Sequence, residues 1–276
     1  MLAILRKLRK SLFETDSGRK YFLYAIGEIA LVVIGILIAL QINNWNEKQK
    51  EIRDLRAYAT ALANDMRSDI DMVRVIIKQA KRSTLYIDSL SSYVRNKQLD
   101  ELSNLDLYLL SRPGGYRPYS WNRASMDELK NSGVLRHVSD ENLVSMIVGY
   151  EALSRHMDED YLQDVTSRMA SENVWNQIVN KNYVTSRYSI RMIDSVKWHD
   201  LDEVAFRDFS DDEGYLKMQQ EDLQLLARDI SEIYAGVNHS RSVRGGLFTR
   251  YADELPELIG QAEAIIESLE KIIDGN

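Results

Sequence analysis

Apolar residues are laid out in two different ways along this chain, and the change comes near residue 42. From Tyr21 to Ile42 the sequence reads YFLYAIGEIALVVIGILIALQI, and between Ile29 and Leu40 it is apolar on every side of a helix. Beyond it, apolar residues step by threes and fours: Ile52, Leu55, Ala59, Leu62, Met66, Ile70, Val73, Ile77, Ala80, Thr84 and Ile87. The first pattern suits a helix with no aqueous face, the second a helix with one buried stripe. No Gly or Pro falls between Ile36 and Ser111. One helix is therefore expected to run from the apolar segment outward to about Asn96.

The rest of the chain punctuates more often. Ser111–Ser120 (SRPGGYRPYS) is rich in turn formers and marks a loop. A short helix is expected near Trp121–Asn131, with Gly133 just past its end. Ser139 is expected to cap a long helix with Asp140 and Glu141 in its first turn, and with the stripe Leu143, Ile147, Tyr150, Leu153, Met157, Tyr161, Val165, Met169 and Ile178. Residues 181–209 look irregular, with Trp198, Phe206 and Phe209 tucked beneath. Ser210 to Glu213 matches a capping box, so a helix is expected over about 211–243, interrupted at Gly245-Gly246. A last helix is expected from Asp253, with Pro256 in its first turn and Leu258, Ile259, Ala262, Ile265, Ile266, Leu269 and Ile273 on one side. Period-two alternation is nearly absent. The fold class is all-α: a single N-terminal transmembrane helix continuing into an up-down helical bundle.

Charge favours one membrane orientation. The first twenty residues carry Arg6, Lys7, Arg9, Lys10, Arg19 and Lys20 against Glu14 and Asp16. The whole chain is −7, so residues 43–276 carry about −10 once Glu28 is set aside. Twenty-two helical residues span roughly 33 Å, about the thickness of the hydrocarbon layer. Tyr21 and Tyr24 stand at one end and Trp45 at the other, as interfacial aromatics do. No small-x-small site follows the segment, so an uncleaved signal anchor is the reading, with the basic end cytoplasmic. Lys48, Lys50, Arg53 and Arg56 on the other flank weaken that orientation signal. The organisation read here is a basic tail over 1–20, a transmembrane helix over 21–42 and an extracytoplasmic domain over 43–276. In the tail, Leu2, Leu5, Leu8 and Leu12 fall on one side and cations on the other, which suits a helix lying on anionic lipid or a loose basic tail.

Glu28 lies roughly 10 Å inside the apolar segment. Ala25, Glu28, Val32, Gly35 and Ala39 share one side of the helix, and small residues beside a polar one suit contact with another membrane helix. The partner is then a membrane protein or a second copy of the chain. Three roles stay open for Glu28: a packing contact, a proton-handling carboxylate, or a protonated acid bonded at the headgroups.

The stretch Tyr24-Ala25-Ile26-Gly27-Glu28, then an apolar run, then Gln41-Ile42-Asn43-Asn44-Trp45-Asn46-Glu47 resembles the N-terminal signature of a family of uncharacterised Bacteroidetes membrane proteins, domain of unknown function 6090. A weaker likeness continues through Trp121, Leu129, Ser132 to Leu135, Leu143 and Tyr150. The resemblance implies a Gram-negative inner-membrane protein with a periplasmic domain. It implies no activity.

Candidate chemistry changes this picture little. There is no cysteine, which removes disulfides and thiolate sites together. His137, His156, His199 and His239 form no H-E-x-x-H or zinc-finger spacing, and no metal site and no cofactor are expected. Asp158-Glu159-Asp160 and Asp211-Asp212-Glu213 lack calcium-loop spacing and read as a solvated face or as acids favoured at a helix start. Gly114-Gly115 and Gly245-Gly246 read as turns, not phosphate cradles. An acidic domain makes a poor nucleic-acid partner. The candidate binding loop is Arg112, Tyr116, Arg117, Tyr119 and Trp121, because arginines and aromatics together suit recognition; the competing expectation is that Tyr119 and Trp121 anchor it into the bundle. The preferred function is a non-enzymatic binding or assembly domain held at the membrane. The alternative is an accessory subunit of a stator-like or transporter-associated complex that uses Glu28.

Overall fold

The computed structural model describes residues 16–111, 115–138, 140–182, 216, 219–220 and 222–275, with side chains from residue 22 onward and without that of His137. Two compact units divide the chain, Met1–Ala57 and Tyr58–Asn276. All regular structure among the described residues is helical. The helices are α1 (Asp16–Val94), α2 (Asn104–Leu110), α3 (Ala124–Asn131), α4 (Glu141–Ile178), α5 (Ile230–Thr249) and α6 (Leu255–Asp274), with a π-helical turn, Arg250–Glu254, between α5 and α6.

In the first unit α1 is the only described element. From Ile26 to Ile42 its apolar side chains are exposed: Ile29 is 65% exposed and Leu31 74%. This is a helix long and apolar enough to cross a membrane, with a mean hydropathy of 2.5 over its best window and no residue of that window buried.

In the second unit the expected stripe is buried. Ala59, Leu62, Met66, Val73, Ala80 and Ile87 are each 1% exposed or less, and Ala63, Ile76 and Leu90 join them. α1 ends close to the expected Asn96, which adopts the left-handed conformation (φ 63°) that closes many helices.

Cross-links fix the directions of the bundle. Arg67 donates to Glu270 at 2.6 Å and Arg244 to Asp88 at 2.6 Å, so the C-terminal part of α1 runs opposite to α5 and α6. Ser171 lies beside Ser240 and Asp164 beside Arg250, so α4 also runs opposite to α5. Tyr150 reaches Asp69 while α4 ends in the same cluster as Val94, so α1 and α4 are parallel. This corrects the simple up-down expectation. The chain makes its return between α1 and α4 as an extended strap over residues 115–123. There Arg117 N donates to Gln79 Oε1 (3.0 Å), Ser120 N to Met72 Sδ (2.9 Å) and Asn122 N to Asp69 Oδ1 (3.0 Å). Side chains of α1 thus supply the acceptors that a sheet would otherwise give to an extended segment.

Several boundaries differ from the sequence reading. α2, capped by Ser103, was not expected; it is five residues of seven buried and is pinned by Asn104, which exchanges hydrogen bonds with Asn180 at the end of α4. The short helix starts at Ala124, and Gly133 does follow it at φ 74°. Asp140, not Ser139, caps α4, accepting from Asn142 N and Leu143 N; Ser139 lies outside the described residues. Met169, expected inside, is 57% exposed, and Ser171 and Trp175 hold the stripe instead. Residues 222–229 are not helical, and α5 starts only at Ile230 behind the Asp229–Glu232 capping box. Gly245-Gly246 does not interrupt it: both lie within α5, and a Cβ on Gly246 would sit 2.7 Å from Asp164 Oδ1. Pro256 fits the expected first turn of α6. The basic residues 1–15, Pro113-Gly114, most of 181–209 with Trp198, Phe206 and Phe209, and the 210–213 box all lie outside the described residues.

Candidate functional site

Polar side chains converge where the π turn meets α4 and the strap. His156, Asp160 and Asp164 stand four residues apart on α4 and therefore share one side of it. The π turn carries Arg250 and Glu254 to the same place; such wide turns often occur at functional positions. From the strap come Tyr116 and Tyr119.

Arg250 is at the centre and only 6% exposed. Its Nε donates to Asp164 Oδ2 (3.1 Å), and its Nη1 donates to Glu254 and lies 3.0 Å from Asp160 Oδ2. Tyr116 Oη donates to the same Asp164 Oδ2 at 2.7 Å. His156 Nε2 approaches Asp160 Oδ2 at 3.3 Å. Within this cluster, among the described residues, Tyr119 Oη and Asp160 Oδ2 are buried without a hydrogen bond of good geometry. For the latter, the guanidinium is close enough to pair electrostatically, but no N–H points along the line between them.

Burial governs the protonation of these groups. It pushes the Asp160 carboxyl above the usual carboxylate value, against the pull of Arg250 and His156. It also raises the Tyr116 and Tyr119 hydroxyls, so both stay neutral donors. Desolvation works against the Arg250 charge, but the bond to Glu254 and the nearby Asp164 and Asp160 carboxylates outweigh it and hold the guanidinium ionised. Three carboxylates against one guanidinium leave the cluster rich in negative charge.

The aromatics of the candidate binding loop turn inward. Tyr116 is 5% exposed, and Tyr119 stacks on Trp121 with centroids 5.0 Å apart. Trp121 Nε1 donates to Asp158 Oδ1 (3.0 Å), and Arg123 holds the other oxygen (2.7 Å). Tyr119 and Trp121 thus anchor the strap, as the competing expectation had it. Arg117 is exposed, and Arg112 lies outside the described residues. Of the acidic run, Glu159 is solvated and Asp158 partly so while bonded to Trp121 and Arg123; Asp160 is buried in the cluster, contrary to the reading of a solvated patch. The second run and His199 fall outside the described residues. Among the membrane-segment residues, Ala25 is half-buried, and Glu28, Val32, Gly35 and Ala39 are exposed along α1.

The sequence reading missed the convergence of His156, Asp160, Asp164, Arg250 and Glu254. Its traces were H-x₃-D-x₃-D on one helix and R-x₃-E on another, but nothing local joins segments ninety residues apart.

Fold and site together define a protein whose described residues are helical in all their regular structure, with a membrane-length helix and a buried polar cluster around one arginine. Residues 28–106 match the model of DUF6090, a family of unknown function, the family whose signature is read above from Tyr24 to Glu47. The match covers most of the apolar segment, the C-terminal part of α1 and the start of α2; the Arg250 cluster lies beyond it. No curated protein and no solved structure matches the chain.

Proposed function

We propose that this chain is a single-pass inner-membrane protein, N-terminus cytoplasmic, whose periplasmic helical domain serves binding or assembly and not catalysis. The observation that carries the reading is the contrast within α1: every residue from Glu28 to Ile42 is exposed, although nearly all are apolar. Burial in lipid gives that surface the solvent it needs, and twenty-two residues suffice to cross. Ala25, Glu28, Val32, Gly35 and Ala39 then form the side that meets a membrane-protein partner or a second copy. The basic tail supports the orientation. Because the chain has no cysteine, single cysteines report topology directly. Glu159→Cys is expected to react with a membrane-impermeant maleimide on intact spheroplasts, and Ser11→Cys only after lysis. The opposite pattern, or release of the protein by alkaline carbonate, would contradict the reading.

A second reading rests on Glu28, the only acid between Tyr21 and Ile42. An ionisable group at that depth is costly unless it serves a partner or a proton path. The chain then acts as an accessory subunit of a proton-driven or transport complex. Glu28→Gln separates the two: unchanged assembly and phenotype remove the second reading and leave the first.

A further inference from the structure

We propose that His156, Asp160 and Glu254 form a site for one divalent transition-metal cation of the zinc class. One ligand atom from each lies within 4.8 Å of the others. His156 and Asp160 are one helical turn apart on α4, so their backbones are already placed for chelation. Glu254 arrives from the π turn, whose extra width sets it beside Arg250.

A separate observation points to a ligand here. Asp160 is 8% exposed, and its Oδ2 is buried without a hydrogen bond. Arg250 Nη1 (3.0 Å) and His156 Nε2 (3.3 Å) approach this oxygen as ion-pair partners without a hydrogen bond of good geometry, and a directly bound cation would offset its desolvation more fully. The charge balance agrees, since Asp160, Asp164 and Glu254 outnumber Arg250.

The donor set selects the ion. One imidazole and two carboxylates suit zinc, manganese or cobalt with water completing the shell; calcium wants six to eight oxygens and does not take imidazole readily. Ligand bonds of about 2.0–2.2 Å require the three atoms to draw in by about 1 Å. The movable members are the outer ones: the side chains of His156 and Glu254 are 54% and 24% exposed, against 11% for Asp160. Solvent reaches the site from the His156 side. The competitor is Arg250 Nη1, which must yield Glu254 while Nε keeps its bond to Asp164. If the guanidinium is instead the only cation this cluster takes, zinc will not bind.

The test is calorimetric titration of tag-free, chelator-treated full-length protein in detergent with zinc sulfate. One saturable site per chain is expected, unaffected by millimolar calcium. His156→Ala and Glu254→Gln are each expected to weaken it by at least about tenfold, the lower end of what even an outer-layer change costs a metal site. His239→Ala, on an exposed histidine of α5, is expected to leave it unchanged. Asp160→Asn should abolish binding, with circular dichroism checking the fold; His156→Ala decides the matter if that variant unfolds. No saturable zinc site in the wild type, affinity unchanged in His156→Ala and Glu254→Gln, or an equal loss in His239→Ala would each overturn the proposal.

Discussion

Two stretches of α1 are built from similar amino acids and solve opposite problems. Between Ile29 and Leu40 the side chains are apolar all round and exposed: Leu37 is 58% exposed and Ile34 56%. Between Tyr58 and Val94 the apolar residues keep to a stripe and are buried, with Leu62 at 1%. The intervening sides there carry Arg67, Asp71 and Arg74, two of which pair with Glu270 and Glu263 of α6. Helical periodicity, not apolar content, decides which solvent a helix is made for. A single-sided stripe asks for protein partners, and an all-round apolar surface asks for lipid.

The comparison breaks most visibly under matched truncations. Leu62→Ala is expected to cost the folded domain about 2–5 kcal/mol, as deletions in a packed core do. Leu37→Ala should leave thermal unfolding of the domain, followed by circular dichroism in detergent, unchanged. Equal losses would mean that the exposed segment is packed after all. Next in size is Ile34→Arg, expected to disfavour insertion by about 2.5–3.5 kcal/mol, the cost of arginine at a span centre. The fraction of protein in carbonate-resistant membranes reads it out, and an unchanged fraction would argue against a span.

Within the bundle, Gly236→Ala sharpens the packed side of the contrast. A Cβ there would meet Trp175 Cζ2 at 2.8 Å and Ile178 Cδ1 at 2.9 Å, against a tryptophan already tied to Ser240 by its Nε1. Overpacking of this kind costs about 1–3 kcal/mol, measurable by urea denaturation. Gly35→Ala, with open space around its position, should not change domain stability.

The smallest effect expected is electrostatic. Hydrogen bonds from Lys130, and secondarily from Arg155, hold the Glu151 carboxyl below its ordinary value of 4.5, against burial, which raises it. A depressed carboxyl stabilises the fold above its unfolded value, and the gain is lost as pH falls through the folded one. Glu151→Gln should therefore cost about 1 kcal/mol near neutrality, with both cations partly solvated and the pair screened accordingly. The difference from wild type should close as pH falls below 4.5 in melts over pH 3 to 7.

The helical class, the long α1 and its buried stripe were legible because their signals are periodic and local. Gly133 was legible because one glycine past a helix has one common use. What failed was non-local. The strap over 115–123 depends on Gln79, Met72 and Asp69, 38 to 53 residues upstream, so its turn-rich start said nothing about its path. The Gly245-Gly246 pair looked like a break because glycine lowers helix propensity. Both glycines are nonetheless helical within α5, a tertiary override of that weak local preference. The polar cluster stayed hidden for the same reason: Arg250 acquires its meaning only beside Asp160 and Asp164.

Whether α1 lies in lipid from Tyr21 to Ile42 is open to one direct measurement. A single cysteine at Ile34 is exposed to a water-soluble, impermeant maleimide, first in lysed membranes and then after SDS dissolves them. Glu159→Cys serves as the exposed reference. The expected result is rapid labelling of the reference in membranes, and of the Ile34 cysteine only after SDS. Equal labelling of the two cysteines while the membrane is intact would show that the segment meets water, and the assignment of a span would fall.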